Sequence, residues 1–298
     1  MGTLYAPRLR NLMGRILKRV VNLVLSAGMF LVDWASDLAR RVAGKRRPPI
    51  CVVLYYHSIP VESRLRFEQQ MATLLRWAQP VAADRISGLA DGGRYAVVTF
   101  DDGFESFAGN ALPVLKERGI CATVFVVTDF LGDFGGWRRF DPPSNHNERL
   151  MSPEQLILLP ADLISIGSHT VTHPLLTSLS EDAAKEELLQ SRLRLQGMLR
   201  RDIKLFSFPY GAFNTDLVSW CREAGYSRVF TIQPIRASTD GQDYVTGRFS
   251  VEPTDWRIEF FLKLMGAYRW QPLAFAFKKY MVLVTKRFKR CAIEKSVC

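Results

Sequence analysis

Apolar residues recur along this chain with two different periods, and the two alternate. Short runs rich in Val, Ile, Phe and Tyr occur at Ile50–Tyr56, Tyr95–Phe100, Cys121–Thr128, Leu163–Gly167, Leu205–Phe208, Tyr226–Ile232 and Val245–Val251. Each has the length and composition of a buried strand. Between them, Phe67–Ala78, Glu105–Arg118, Glu181–Arg200 and Thr215–Ala224 repeat apolar positions at helical spacing. Strand and helix in alternation predict an α/β domain built on a parallel sheet. The 298 residues, 48% of them hydrophobic, suffice for one domain of about 200 residues with extensions.

Three of these runs end in residues that packing does not require. Tyr95–Phe100 stops at Asp101-Asp102-Gly103. Two adjacent carboxylates repel, and a divalent cation relieves that repulsion. Successive residues on extended chain point in opposite directions, so one Asp can face a metal while the other faces bound water. Taken alone, the triplet also reads as a solvated turn. Leu163–Ser168 leads into His169-Thr-Val-Thr-His173, which holds two of the four histidines. Pro174 argues against a helix through the second His, so the pair spans a strand end and the following loop. Two imidazoles and a carboxylate form a three-ligand set that leaves positions open for water and substrate. Leu205–Phe208 continues into Pro209-Tyr210-Gly211.

Thr99–Gly103, His169–His173 and Phe208–Gly211 together resemble the first three motifs of the NodB-type polysaccharide deacetylases (carbohydrate esterase family 4). The resemblance covers roughly residues 50–255. It implies a distorted, incomplete (β/α) barrel with the motifs at the C-terminal rim. It implies Asp101 as catalytic base, and Asp102, His169 and His173 as ligands of a divalent metal. Zn²⁺ suits such ligands best, with Co²⁺, Ni²⁺, Mn²⁺ and Fe²⁺ also compatible. Tyr210 matches the residue whose backbone N–H meets the oxyanion, and Phe208, Pro209 and Tyr210 match the wall of the sugar pocket.

The chain departs from the family pattern twice. In many members the third motif opens with an Arg that pairs with the base, and here only Lys204 is near. Arg248, on Val245–Val251, is the candidate replacement. The usual C-terminal His, which protonates the leaving amine, has no counterpart after His173. His57 ends an apolar strand as the Asp pair does, and it is the candidate substitute. The poly-N-acetylglucosamine deacetylases resemble this arrangement, with their last-motif His on the N-terminal side. A structural role in the core is the alternative for His57. His146 reads as a loop residue, and Gly132–Glu148, with Trp137 and Phe140, as an ordinary surface loop, with a loop over the cleft as the alternative.

Charge adds a second layer. The net +11 is unevenly spread, with +8 in residues 1–49 and +8 in 257–298, leaving −5 for 50–256. Nucleic acid is therefore not the expected substrate. Both ends, a basic and apolar extension at 1–49 and a basic aromatic one at 257–298, suit a membrane surface. Val20–Val32 is thirteen residues, too short to span a bilayer. The alternative is that both ends pack on the domain. Five cysteines, an odd number, read as free thiols, which favours the cytoplasmic side. The expected function is metal-dependent N-deacetylation of an N-acetylated glycan or membrane glycolipid. A related amidohydrolase, such as a deformylase of a lipid-linked amino sugar, and a catalytically silent glycan-binding protein are the competing readings.

Overall fold

The computed structural model describes residues 5–137, 148–241 and 243–273. Helix α1 (Tyr5–Val42) precedes β1 (Ile50–Tyr56), α2 (Arg64–Trp77), β2 (Gln79–Pro80) and β3 (Arg94–Phe100). Then follow α3 (Leu112–Arg118), β4 (Ala122–Val126), α4 (Pro153–Ile157), β5 (Ile164–Ser168), α5 (Glu181–Leu199) and β6 (Leu205–Ser207). The described chain continues through α6 (Thr215–Glu223), β7 (Arg228–Phe230), β8 (Val245–Thr246), β9 (Phe249–Ser250) and α7 (Arg257–Leu264). A π-helical turn at Phe107–Ala111 opens α3.

The strands form one parallel sheet in the order β8-β7-β6-β5-β4-β3-β1-β9, with β2 beside β3. Alternation sorts their side chains into two cores. Val52, Leu54, Val98 and Phe100 pack against the helices with Phe67, Leu74, Leu115 and Leu188. Cys51, Val53, Val97, Phe125, Leu205 and Phe230 fill the inside of the curled sheet. This is the distorted, incomplete (β/α) barrel expected from the motifs.

The run Val245–Val251 is not one strand. Val245 and Thr246 pair with β7, whereas Phe249 and Ser250 neighbour β1 at Leu54 and Tyr55. One seven-residue segment thus bridges the two ends of the sheet, and Gly247-Arg248 is the step between them. Only glycine fits before that step, because a Cβ on Gly247 would lie 2.4 Å from the carbonyl oxygen of Gln233.

Helix α1 runs the length of the barrel. Arg19 bonds Glu259 (2.6 Å) and the Thr254 carbonyl (2.9 Å), Asp33 pairs with Arg236 and Arg269, and Asp37 pairs with Arg47. Among the described residues no helix is long and apolar enough to cross a membrane. The packed core continues past residue 256, because Phe260, Leu262 and Leu264 of α7 are buried in it. The rest of the aromatic extension, with Cys291 and Cys298, lies outside the described residues, as do Phe140 and His146. Cys51 and Cys221 are buried thiols and Cys121 is half-buried. Burial pushes the Cys51 thiol up to about 12 against the opposing charge of Arg228, so it packs as an inert apolar residue.

Candidate active site

Parallel register brings the motifs together. Tyr56 pairs with Phe100 at the ends of β1 and β3, so His57 and Asp101 occupy neighbouring rim positions. The Asp101 N–H donates to the Tyr56 carbonyl (2.9 Å) and the His169 N–H to the Val126 carbonyl (2.9 Å). Ser168 pairs with Phe206, which sets His169 beside Ser207. Every motif residue therefore stands at the C-terminal edge of the sheet, where barrel enzymes carry their chemistry.

Asp101 is buried and Arg248, fully enclosed, grips it in bidentate fashion, Nη1 to Oδ1 and Nη2 to Oδ2, each 2.7 Å. The guanidinium also donates from Nη1 to Thr99 Oγ1 (3.2 Å), from Nη2 to Ser207 Oγ (2.7 Å) and from Nε to the Thr231 carbonyl (3.2 Å). All five N–H directions of the fork are thereby used. Its flat face lies 4.6 Å from the Tyr55 ring centroid, a cation–π contact. Burial alone would push the Asp101 carboxyl up. The Arg248 charge outweighs it, helped by His169 and His57, and holds the group at about 2, below its ordinary 3.8.

That depression is also a stability statement. A carboxylate lowered in the folded state contributes stability that is complete above its unfolded value and is lost as pH falls through the folded one. The window here runs from about pH 4 down to about pH 2. With chelator present, the urea midpoint of the wild type should fall more steeply across that window than that of Asp101→Asn. Equal slopes would mean that the pair contributes nothing to stability.

Asp102, His169 and His173 offer one ligand atom each, all within 4.8 Å of one another. Asp102 Oδ1 lies 3.6 Å from His169 Nε2 and 3.5 Å from His173 Nε2. The Ser207 carbonyl can only accept, so His169 Nδ1 (2.7 Å) must carry its proton, which leaves the Nε2 lone pair facing the cluster. Burial foremost, then the neighbouring His169, lowers the His173 pKa to about 2, so that ring is neutral and able to ligate. The donor set thus fits a divalent metal ion.

The backbone is bent to make this cluster. Asp102, Thr170, His173 and Tyr210 all have positive φ, at 71°, 72°, 61° and 57°. Such conformations cost about 1 kcal/mol or more each and persist only when surroundings hold them. Glu187 of α5 supplies part of that hold. Its carboxylate accepts from the N–H groups of Val171 (2.7 Å) and Thr172 (3.0 Å) and from Thr172 Oγ1 (2.6 Å). We expect Glu187→Ala to weaken metal binding about 10- to 100-fold, read by titration with a competing chelator. Unchanged affinity would mean the His loop holds itself.

His57, Asp101, Asp102, His169, His173, Phe208 and Tyr210 line one open cleft of about 1060 Å³. His57 is exposed to it, not sealed in the core, and stands edge-on to Tyr55. Phe208 is buried beneath the floor and Tyr210 is 49% exposed at the wall. Pro209 is buried in the turn that carries Tyr210. Lys204 points away and pairs with Asp202 at 3.4 Å. Three cleft residues, and the buried Ser207 behind them, escaped the sequence reading as site residues. Trp137, read as a loop residue, stacks on His173 with ring centroids 4.6 Å apart. Glu148 accepts from the Ser106 N–H (2.8 Å) and from Ser58 Oγ. Glu252 lines the side of His57 and belongs to no motif. Ser207 acts through its backbone carbonyl as well as its side chain.

Comparison with known proteins places this geometry. Residues 89–229 match the family described as polysaccharide deacetylase. Over that stretch, just under half of its length, the chain is similar to the polysaccharide deacetylases. Its class is that of hydrolases acting on carbon–nitrogen bonds. YxkH of Bacillus subtilis (strain 168), which carries the polysaccharide deacetylase name, is 27% identical over 218 residues, 70% of this chain and 73% of that one. The poly-beta-1,6-N-acetyl-D-glucosamine N-deacetylase of Staphylococcus epidermidis is 27% identical over 163 residues, 52% of this chain and 53% of its own. The chain thus spans about half the length of that relative. The structure of IcaB from Ammonifex degensii superposes with a TM-score of 0.61 at 25% identity, covering 74% of this chain and 98% of that one. The deacetylase domain's family match stops short of both His57 and Arg248, which lie outside residues 89–229.

Proposed function

We propose that this deacetylase removes the acetyl group from an N-acetylated sugar within a polysaccharide, with a divalent metal, best met by Zn²⁺, held by Asp102, His169 and His173. The observation that carries the reading is the pinned carboxylate. Asp101 sits ionised beside a three-ligand cluster at the floor of an open cleft. That cleft, about 1060 Å³, is as large as the upper range of small-molecule pockets, roughly 300–1,000 Å³. It suits several sugar units better than a small amide.

Each residue has a role in this scheme. Both Asp101 oxygens accept from Arg248, yet each keeps a lone pair, so the carboxylate can take the proton of an attacking water. Arg248 holds that carboxylate in one orientation and keeps it from protonating. A group held at about 2 is a weak base, and a bound divalent ion would compensate by acidifying water and polarising the acetyl carbonyl. Tyr210, on its left-handed turn, presents its backbone N–H to the oxygen that gains charge as the carbonyl is attacked. His57, beside Asp101 on the rim, gives a proton to the leaving nitrogen. The products are acetate and a free amino sugar.

The test is acetate release by Zn²⁺-loaded protein from β-1,6-linked N-acetylglucosamine oligomers and from membrane glycolipid extracts, with Asp101→Asn as control. Release that the variant lacks supports the reading and says which acceptor matters. No release from either, despite bound metal, would sink it.

A further inference from the structure

Helix α1 is amphipathic the wrong way round for a helix that only packs on its own domain. The face turned to the barrel carries Arg19, Asn22, Ser26, Asp33 and Asp37, softened by Leu23, Ala27 and Phe30. Ser26 accepts from the Trp270 indole N–H (2.9 Å), and the two aspartates are consumed by Arg236, Arg269 and Arg47. The opposite face is apolar and open to solvent. Leu17 (65% exposed), Val24 (65%) and Leu31 (60%) follow one another at seven-residue spacing, with Val20, Val32 and Trp34 beside them. Apolar area on this scale is covered by something in a functioning protein.

Charge decides what covers it. Both acidic residues of the first 49 are turned inward, so the exposed flanks of α1 and the turn after it carry only positive charge, at Lys18, Arg40, Arg41, Lys45 and Arg46. A second copy of α1 would bring basic ends against basic ends whether the helices ran parallel or antiparallel. An anionic lipid surface satisfies both features, apolar face against acyl chains and basic flanks among headgroups. Beside the same face is a groove of about 640 Å³, lined by Trp34, Leu38 and Trp77 with Arg41, Arg47, Arg94 and the ion-paired Asp33 and Asp37. In it, Arg94 Nη1 is buried with no hydrogen-bond partner among the described residues.

We propose that α1 docks this protein, in plane, on an anionic lipid bilayer through the Leu17–Val24–Leu31 face. This proposal stands apart from the deacetylase reading. Its geometric consequence is that the strands lie along the bilayer, because Arg19 meets Thr254 at the wall of the catalytic cleft while Arg47 meets Gly92 at the other end of the barrel.

The test is co-sedimentation of the full chain with phosphatidylglycerol–phosphatidylcholine vesicles and with phosphatidylcholine vesicles alone. The wild type should pellet with the anionic vesicles and lose most of that binding in high salt. The triple variant Leu17→Glu, Val24→Glu, Leu31→Glu should bind at least about tenfold more weakly. These positions are exposed, so its circular dichroism melt should match the wild type. A triple variant that pellets like the wild type would overturn the proposal. So would a chain that ignores vesicles but forms a dimer that the triple variant dissociates, since the occupant would then be a second copy.

Discussion

Arg248→Met should destabilise the protein by about 3–5 kcal/mol, because removing one partner of a buried ion pair leaves the other charge uncompensated. For a domain of this size the melting temperature should fall on the order of 10 °C. Arg248 has no exposure and all its donors are engaged, so no water can take over its work. Asp101 must then either stay charged beside the gap left where the guanidinium sat among Tyr55, Phe125 and Phe230 or take up a proton at neutral pH. Protonated, it could no longer act as the proposed base; charged, it would lack the contact that fixes its orientation. Adding Asp101→Asn to Arg248→Met should restore part of the stability and none of the activity, since a neutral amide needs no counter-charge. A single variant melting within about 2 °C of the wild type would show that the pair is not what holds this part of the barrel.

The second large effect separates two adjacent residues. Asp101→Asn should lower turnover by about 10²- to 10⁴-fold, the range for losing a general base, with metal content unchanged. Asp102→Asn should lose the metal itself, and activity with it. Asp102 Oδ1 lies 3.6 Å and 3.5 Å from the two imidazole Nε2 atoms, and an amide oxygen in its place would bring no charge to the ion. Metal analysis beside the rate assay distinguishes the two. Loss of metal from Asp101→Asn, with retention in Asp102→Asn, would reverse the assignment.

Much of the fold was legible because strand and helix patterns differ in period, and the motifs were legible because each is a contiguous string at a strand end. Residues that act across the chain were harder. Arg248 could be named only as a candidate for the charge that the third motif lacks, on a run that also holds Thr246, Gly247 and Ser250. Its bidentate contact depends on the segment changing neighbours at Gly247, which no local pattern announces. Ser207 contributes through a carbonyl that every residue possesses, so nothing in its identity marked it. Glu187 looks like any acid of an amphipathic helix until the His loop is set beside it. Val20–Val32, read as a short apolar stretch, is the middle of a 38-residue helix. The polar positions that interrupted its hydrophobicity proved to be those facing the barrel.

The segment that carries Arg248 has a further consequence, in the order of events by which this chain matures. Its two halves lie against β7 and β1, first and last parts of the sheet, so the ends of the barrel meet only after some 200 residues have been made and arranged. Contacts this distant in sequence form slowly. Until then Asp101 has no counter-charge, and the nascent sheet has two open edges ready to pair with other chains. Catalytic competence and protection from aggregation should therefore arrive in the same kinetic step, when Gly247 and Arg248 lock into place.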